Sequence, residues 1–187
     1  METNFFIVNI PHERIGVLIG QKGIVKKTIE ERLNVKLEID SSSGSVKIDL
    51  AKPVNEGGDP LALFKARDII EAIGRGFSPE RAFRLFSENA MLSIINIDDY
   101  VKRTRNNIVR VKARLIGQEG KTRRIIEETT NTYISIYGDT VAIIGESEED
   151  VKAAEEAVIS IINGAPHSSV YKFLNNYARY KKHRITR

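Results

Sequence analysis

Apolar positions along the chain change period several times, and each change marks an element. Phe5 to Ile10 is a β-prone apolar run, and Arg14 to Ile19 has short helical character. Ile24, Val25, Thr28, Ile29 and Leu33 fall near i, i+4 spacing, which predicts a helix. Val35, Leu37 and Ile39 then alternate with Lys36 and Glu38 as in a half-buried strand; Ser41 to Gly44 is a turn, and Val46, Ile48 and Leu50 alternate again. Asp59-Pro60 offers an N-cap followed by proline at the first helical position, and the helix it opens runs to about Arg75 and stops at Gly76. The element order is β-α-α-β-β-α.

The pattern then repeats. Leu18-Ile19-Gly20-Gln21-Lys22-Gly23 returns as Leu115-Ile116-Gly117-Gln118-Glu119-Gly120, and the offset of 97 holds without a gap through Ile29-Glu30-Glu31 and Ile126-Glu127-Glu128 to Asn34 and Asn131. In the second copy, Ile108, Val109 and Val111 predict the opening strand, Lys121 to Thr130 a helix, and Thr132 to Tyr137 with Thr140 to Ile144 a hairpin around Gly138-Asp139. Ser147 to Ile162 predicts a last helix, with Ser147 and Asp150 spaced as in a capping box and Gly164 closing it. Each copy is followed by an added amphipathic helix, one opened by Ser78-Pro79 and the other by Ala165-Pro166. Met91 to Ile97 fits either a strand or a buried linker, and the basic residues beyond Tyr180 predict a frayed tail. The chain thus divides into a first unit over 1–77, a linking helix and connector over 78–101, a second unit over 102–164, and a C-terminal helix with basic tail over 165–187.

Composition narrows the chemistry. The 187 residues are 41% hydrophobic and 29% charged, which excludes collagen-like and wholly disordered readings. Apolar runs are too short to cross a bilayer and no signal-peptide pattern opens the chain, so a cytoplasmic protein with no membrane partner is expected. Cysteine is absent and the three histidines have no ligand spacing, which argues against thiolate metal sites, cysteine nucleophiles and histidine-dependent triads. Asp98-Asp99 and Glu148-Glu149-Asp150 are dense in acid, but they suit the first turn of a helix better than a metal. Gly117 to Thr122 has two residues between its glycines where a phosphate-binding Walker loop needs four. No enzyme activity, cofactor or metal is expected.

Charge is unevenly placed. Residues 102–124 carry nine basic groups against Glu119 alone, and residues 172–187 carry six with no acid, on a chain of net charge +4. Two basic blocks on an acidic body predict a local surface for a polyanion. The repeated Gly-x-x-Gly supplies the place. Two glycines between helices let the backbone turn with no side chain in the way of a ligand, and the following helix aims its amides and positive dipole end there. Lys26 and Lys27 follow one loop, and Lys121, Arg123 and Arg124 follow the other.

The segments Ile15 to Gly23 and Ala113 to Lys121, each within a β-α-α-β-β-α unit, resemble the signature of the KH domain. The resemblance covers about three quarters of the chain and implies an α+β fold of two tandem type I KH domains, each followed by its added helix. It also implies a cleft in which about four single-stranded nucleotides lie between the Gly-x-x-Gly loop and the second strand. Arg110 to Arg114, Lys121-Thr122 and Gly164 to Tyr171 resemble more narrowly the archaeal partner-of-Nob and KRR-type proteins. That likeness implies single-stranded RNA near the 3′ end of small-subunit rRNA or its precursor as partner, together with a maturation nuclease and a translation-initiation factor.

Lys22 suits phosphate better than Glu119, but the wider field favours the second copy. The main RNA contact is therefore expected from Arg114, Gly117, Gln118, Glu119, Gly120, Lys121, Arg123 and Arg124, and a further one from Gly20, Gln21, Lys22, Gly23, Lys26 and Lys27. Ile116, Ile134 and Ile136 fall where such a cleft meets bases, although isoleucines at that spacing are more commonly core. Tyr133 and Tyr137 alternate with the strand isoleucines and should face the other side of the sheet. Two alternatives stand beside this reading: a scaffold that docks proteins, and a KH regulator not specific to rRNA. The basic tail fits either a phosphate-binding arm or a solvated end.

Overall fold

The computed structural model describes residues 5–185, in two compact units that meet between Glu88 and Asn89. The first contains β1 (Phe5–Asn9), α1 (His12–Ile19), α2 (Ile24–Leu33), β2 (Val35–Asp40), β3 (Ser45–Leu50), α3 (Pro60–Gly74) and the single turn α4 (Pro79–Ala82). The second contains β4 (Met91–Asn96), α5 (Arg105–Ile116), α6 (Lys121–Thr130), β5 (Tyr133–Tyr137), β6 (Thr140–Gly145), α7 (Glu148–Ile162) and α8 (His167–Ile185).

Each unit is a three-stranded antiparallel sheet backed by helices, with strand orders β1-β3-β2 and β4-β6-β5. The last strand of each hairpin is central, so the alternation read at Val46 and Ile48 places both on the core face, fully buried. In the first unit Leu18, Ile29, Ile69, Ile70 and Ile73 close over them. In the second, Leu115, Ile126, Val158 and Ile161 do the same over Val141 and Ile143. Each such side chain contributes about 1.5–3 kcal/mol by burial, which holds the helices to the sheet. The Asp59 carboxylate accepts from the Leu61 amide at 2.9 Å, the expected cap. Ser147 stands at the N-cap of α7 but its side chain makes no capping hydrogen bond, so the expected capping box does not form.

Four expectations are corrected. The opening strand of the second unit is Met91–Asn96, which pairs with β6 from Met91 opposite Gly145 to Asn96 opposite Thr140. The predicted strand at Ile108 to Val111 is part of α5, because Ile108, Val111 and Leu115 lie three and four apart and Thr104 caps the helix by accepting from the Asn107 amide. The boundaries at 77 and 102 move accordingly: residues 78–88 pack with the first unit and residues from 89 belong to the second. The linking helix is one α turn followed by a 3-10 turn over Phe83–Phe86.

Residues 181–185 are not frayed either. α8 continues through them, because Lys181 pairs with both carboxylate oxygens of the buried Asp150 and Arg184 pairs with Glu149. Tyr177 also donates to Asp150, at 2.5 Å, and burial together with that carboxylate pushes its phenol above the ordinary range. The end of the expected tail at Thr186 and Arg187 lies outside the described residues. Among the described residues no helix is long and apolar enough to cross a membrane.

Candidate nucleic-acid interface

The two Gly-x-x-Gly loops have nearly identical backbones. Gly20, Lys22 and Gly23 have φ of 74, 53 and 76°, and Gly117, Glu119 and Gly120 have 72, 50 and 76°. The two glycines of each pair do different work. A Cβ on Gly20 would stand 2.4 Å from Val25 Cγ2, and one on Gly117 would stand 2.3 Å from Thr122 Oγ1, so the first glycine lets the loop close on the next helix. Beside Gly23 and Gly120 there is open space, and glycine serves there for its left-handed φ. Neither Gly23 nor Gly120 has a side chain to cap the helix it precedes, so α2 and α6 begin with first-turn amides not satisfied by a capping side chain. That is the arrangement to which an anion is drawn.

Next to the second loop lies a groove of about 680 Å³ between α5 and the β5–β6 turn at Gly138-Asp139. Ile108, Val109 and Ile116 give it an apolar floor, with Val109 58% and Ile116 37% exposed. Arg103, Arg105 and Lys112 line the same groove, and Arg103 spans it to Asp139 at 3.1 Å and to Asp98 at 3.6 Å. An apolar floor edged by cations accepts flat apolar rings attached to a phosphate chain.

The first unit differs at this place. Its α1 is 8 residues long against 12 in α5, and its β2–β3 turn has four residues, Ser41 to Gly44, which reach back to the helix. His12 Nε2 lies 3.2 Å from the Ser42 carbonyl, and the Ile10 amide donates to the Gly44 carbonyl. Ser42 and Ser43 hydroxyls donate to Asp40 and hold its carboxyl well below the usual range. A smaller concavity of about 400 Å³ sits at the loop itself, beside Gln21, Lys22, Ile24 and Lys27.

The expected site residues divide into groups. In the second unit Gln118, Glu119, Lys121 and Arg124 are exposed around the loop, and Arg124 donates to the Glu119 carbonyl at 3.3 Å. Arg123 leans on Glu127 at 3.7 Å. In the first unit Lys22 stands exposed at the tip, while Lys26 and Lys27 form pairs at 3.9 and 3.6 Å with Glu30 and Glu31. Such exposed i, i+4 pairs hold a lysine by only about 0.3–0.5 kcal/mol.

Arg114 is turned into the protein instead. Its guanidinium donates to the Ile161 carbonyl at 2.8 Å and to the Ala165 carbonyl beyond the end of α7. Arg14 does the same in the first unit, donating to the Ile73 and Phe77 carbonyls at 2.8 and 2.6 Å, although the repeat aligns Arg14 with Val111. Both arginines satisfy the carbonyls at the end of a helix, reached from different turns. The three isoleucines also part company: Ile134 is core, Ile136 packs against it, and Ile116 opens to the groove.

Two features escaped the sequence. The groove residues Ile108, Val109 and Lys112 were hidden by reading α5 as a strand, although the Ile108, Val111, Leu115 spacing carried the helical signal. The support behind the second loop is the other. Thr122, 3% exposed, shares a hydrogen bond of 2.9 Å with the Tyr171 hydroxyl of α8, and His167 Nε2 lies 2.9 Å from the Arg114 carbonyl. The added helix therefore touches both flanks of the loop. In the first unit the position of Thr122 is occupied by Val25, which has no hydroxyl to offer.

Comparison with known proteins agrees with this geometry. A KH domain model matches residues 5–72, and a model for the second KH domain of Pno1, described as a eukaryotic type KH-domain (KH-domain type I), matches residues 91–179. A KH domain-containing protein of Methanocaldococcus jannaschii is 53% identical over 90% of this chain and 71% of its own. The chain belongs to the two-KH-domain family that includes Dim2 and Pno1. The pre-rRNA-processing protein pno1 of Schizosaccharomyces pombe is 29% identical over 95% of this chain and 73% of its own. The crystal structure of an a/eIF2alpha–aDim2p–rRNA complex from Pyrococcus horikoshii superposes with a TM-score of 0.86 at 48% identity, covering 94% of each chain. The fold is that of tandem type I KH domains, in agreement with the expected class. The match from residue 91 also includes β4, the strand that sequence reasoning left undecided.

Proposed function

We propose that the chain is a single-stranded RNA-binding protein of small-ribosomal-subunit biogenesis, and that its second unit is the main RNA clamp. The observation that carries this reading is the groove between α5 and the β5–β6 turn, apolar in its floor, edged by Arg103, Arg105 and Lys112, and opening beside an uncapped Gly-x-x-Gly loop. The backbone of the RNA rests on Gly117 to Gly120 with Lys121 and Arg124 beside it, and bases lie over Val109 and Ile116. Arg114 positions the end of α7 and is left out of the contact set. The first unit supplies a weaker contact through Gly20 to Gly23 with Lys22, Lys26 and Lys27.

The kinship supports the biological assignment: a relative processes pre-rRNA, and a structural neighbour was crystallised with rRNA and a/eIF2alpha. We read small-subunit rRNA near its 3′ end as the RNA partner, a translation-initiation factor as a protein partner, and the cytoplasm as the place of work. We also read the chain as a binder with no catalytic role of its own. Fluorescence anisotropy with a single-stranded RNA from the 3′ end of small-subunit rRNA tests this directly. Tight binding whose logarithm falls linearly with log salt supports the clamp, with a slope of about −0.7 per phosphate neutralised. Binding that ignores salt favours the scaffold reading instead.

A further inference from the structure

α8 is longer than a KH unit needs, and its two faces are chemically different. The span His167–Ile185 contains no acidic residue. Its inner face buries Val170 and Leu174, and beyond them Lys181 and Arg184 are matched to Asp150 and Glu149 at the start of α7. Its outer face presents Lys172, Asn175, Asn176, Arg179, Lys182 and His183, all exposed. Lys172 and Arg179 have no partner among the described residues. Positions 172, 176, 179 and 183 share one side of a helix, opposite Val170, Leu174 and Lys181.

The helix is also held at both ends. Tyr171 and His167 tie its first turns to the flanks of the Gly117–Gly120 loop, and the Asp150 and Glu149 pairs tie its last turns to α7. Lys172 therefore follows directly on a residue that bonds to Thr122, at the flank of the loop. At a rise of about 1.5 Å per residue the 19 residues extend about 28 Å. Cations on a fixed helix lose less freedom on binding than cations on a loose tail.

We propose that the outward face of α8 is a second contact surface for the same RNA, taking the sugar–phosphate backbone of nucleotides that flank those in the groove. This rests on the RNA-clamp reading above. A polyanionic strand is favoured because the face offers cations and amides and no carboxylate, and because it begins where the loop receives phosphate. The first unit has no such extension: its corresponding segment is α4 and a 3-10 turn, and two of the cations nearby pack against that segment. Arg32 lies 4.0 Å over the Phe86 ring, and Lys65 donates to the Ser87 carbonyl at 2.6 Å.

The test compares two RNAs on the full chain: a 15-nucleotide strand from the 3′ end of small-subunit rRNA and a five-nucleotide core cut from it. The variant is the triple Lys172→Gln, Arg179→Gln, Lys182→Gln, which keeps the inner face intact, with folding checked by circular dichroism. The long RNA should bind about 30-fold more weakly near 0.1 M salt, with its salt slope reduced by about 2, as three lost contacts require. The short RNA should change by less than about twofold. Equal losses on both RNAs, or no loss on the long one, would overturn the proposal. So would unchanged RNA affinity together with lost binding of an acidic protein partner. Gly120→Asp separates the two claims: it should weaken both RNAs, and if it weakens neither, the clamp reading fails whatever the triple variant does.

Discussion

The two units share a sheet order, a core and a loop backbone that agrees to within a few degrees, yet they surround that loop differently. In the first, a short α1 meets a four-residue turn, and the lysines after the loop are engaged with glutamates one turn on. In the second, a longer α5 leaves an apolar groove open, cations stand along it, and α8 braces the loop through Thr122. The single residue most favourable to phosphate, Lys22, lies in the first unit, and its counterpart in the second is Glu119. The same loop backbone is common to both copies, whereas an apolar groove beside it depends on what the neighbouring helix leaves uncovered.

The largest effect that can break this comparison comes from the second glycine of each loop, where added atoms meet open space. Gly120→Asp sets a carboxylate where phosphate would rest and should weaken RNA binding about 30-fold, about 2 kcal/mol. Gly23→Asp should weaken it about threefold or less, and equal losses by anisotropy would remove the asymmetry. The groove floor comes next. Val109→Glu, at a position already 58% exposed, should cost about tenfold in affinity and little in melting temperature, since no buried packing is lost.

The brace has a smaller effect. Tyr171→Phe or Thr122→Val removes one side of the 2.9 Å hydrogen bond and should weaken binding about three- to tenfold. Thr122→Ser should restore most of it, and the two losses should not add in the double variant. Amide exchange over Gly117 to Lys121 should quicken in the same variants. Smallest is a gain: Glu119→Lys gives the second loop the cation of the first and should tighten binding about two- to threefold, an effect that disappears at high salt.

Much of the fold was legible because duplication supplies its own check. Core positions such as Leu18 and Leu115, or Ile29 and Ile126, recur at one offset and are buried in both copies. The repeat failed before the first helix of each unit, because the second copy places a 3-10 turn at Ile97–Asp99 and a further stretch of chain between β4 and α5. The offset of 97 sets β1 against residues 102–106 and Ile108 to Val111 against Pro11 to Arg14, so the register itself favoured a helix there, and the β-branched Ile108, Val109 and Val111 suggested a strand against it. Charge counting singles out the second half of the chain but does not tell outward side chains from inward ones. Arg114 counts as one cation like Lys121, and only the carbonyls of Ile161 and Ala165 distinguish them. Capping-box spacing and the helix dipole both mark Asp150 as a first-turn acid, but its burial under Tyr177 and Lys181 depends on a helix end that composition marks as a tail.

Photo-crosslinking of a thiouridine-substituted RNA to the full chain, with the attached peptides identified by mass spectrometry, tests the central claim most directly. Crosslinks should concentrate in residues 103–124 and at the 137–139 turn, with a minor share at 20–27. Crosslinks concentrated at residues 12–27, with the groove of the second unit unmarked, would contradict it.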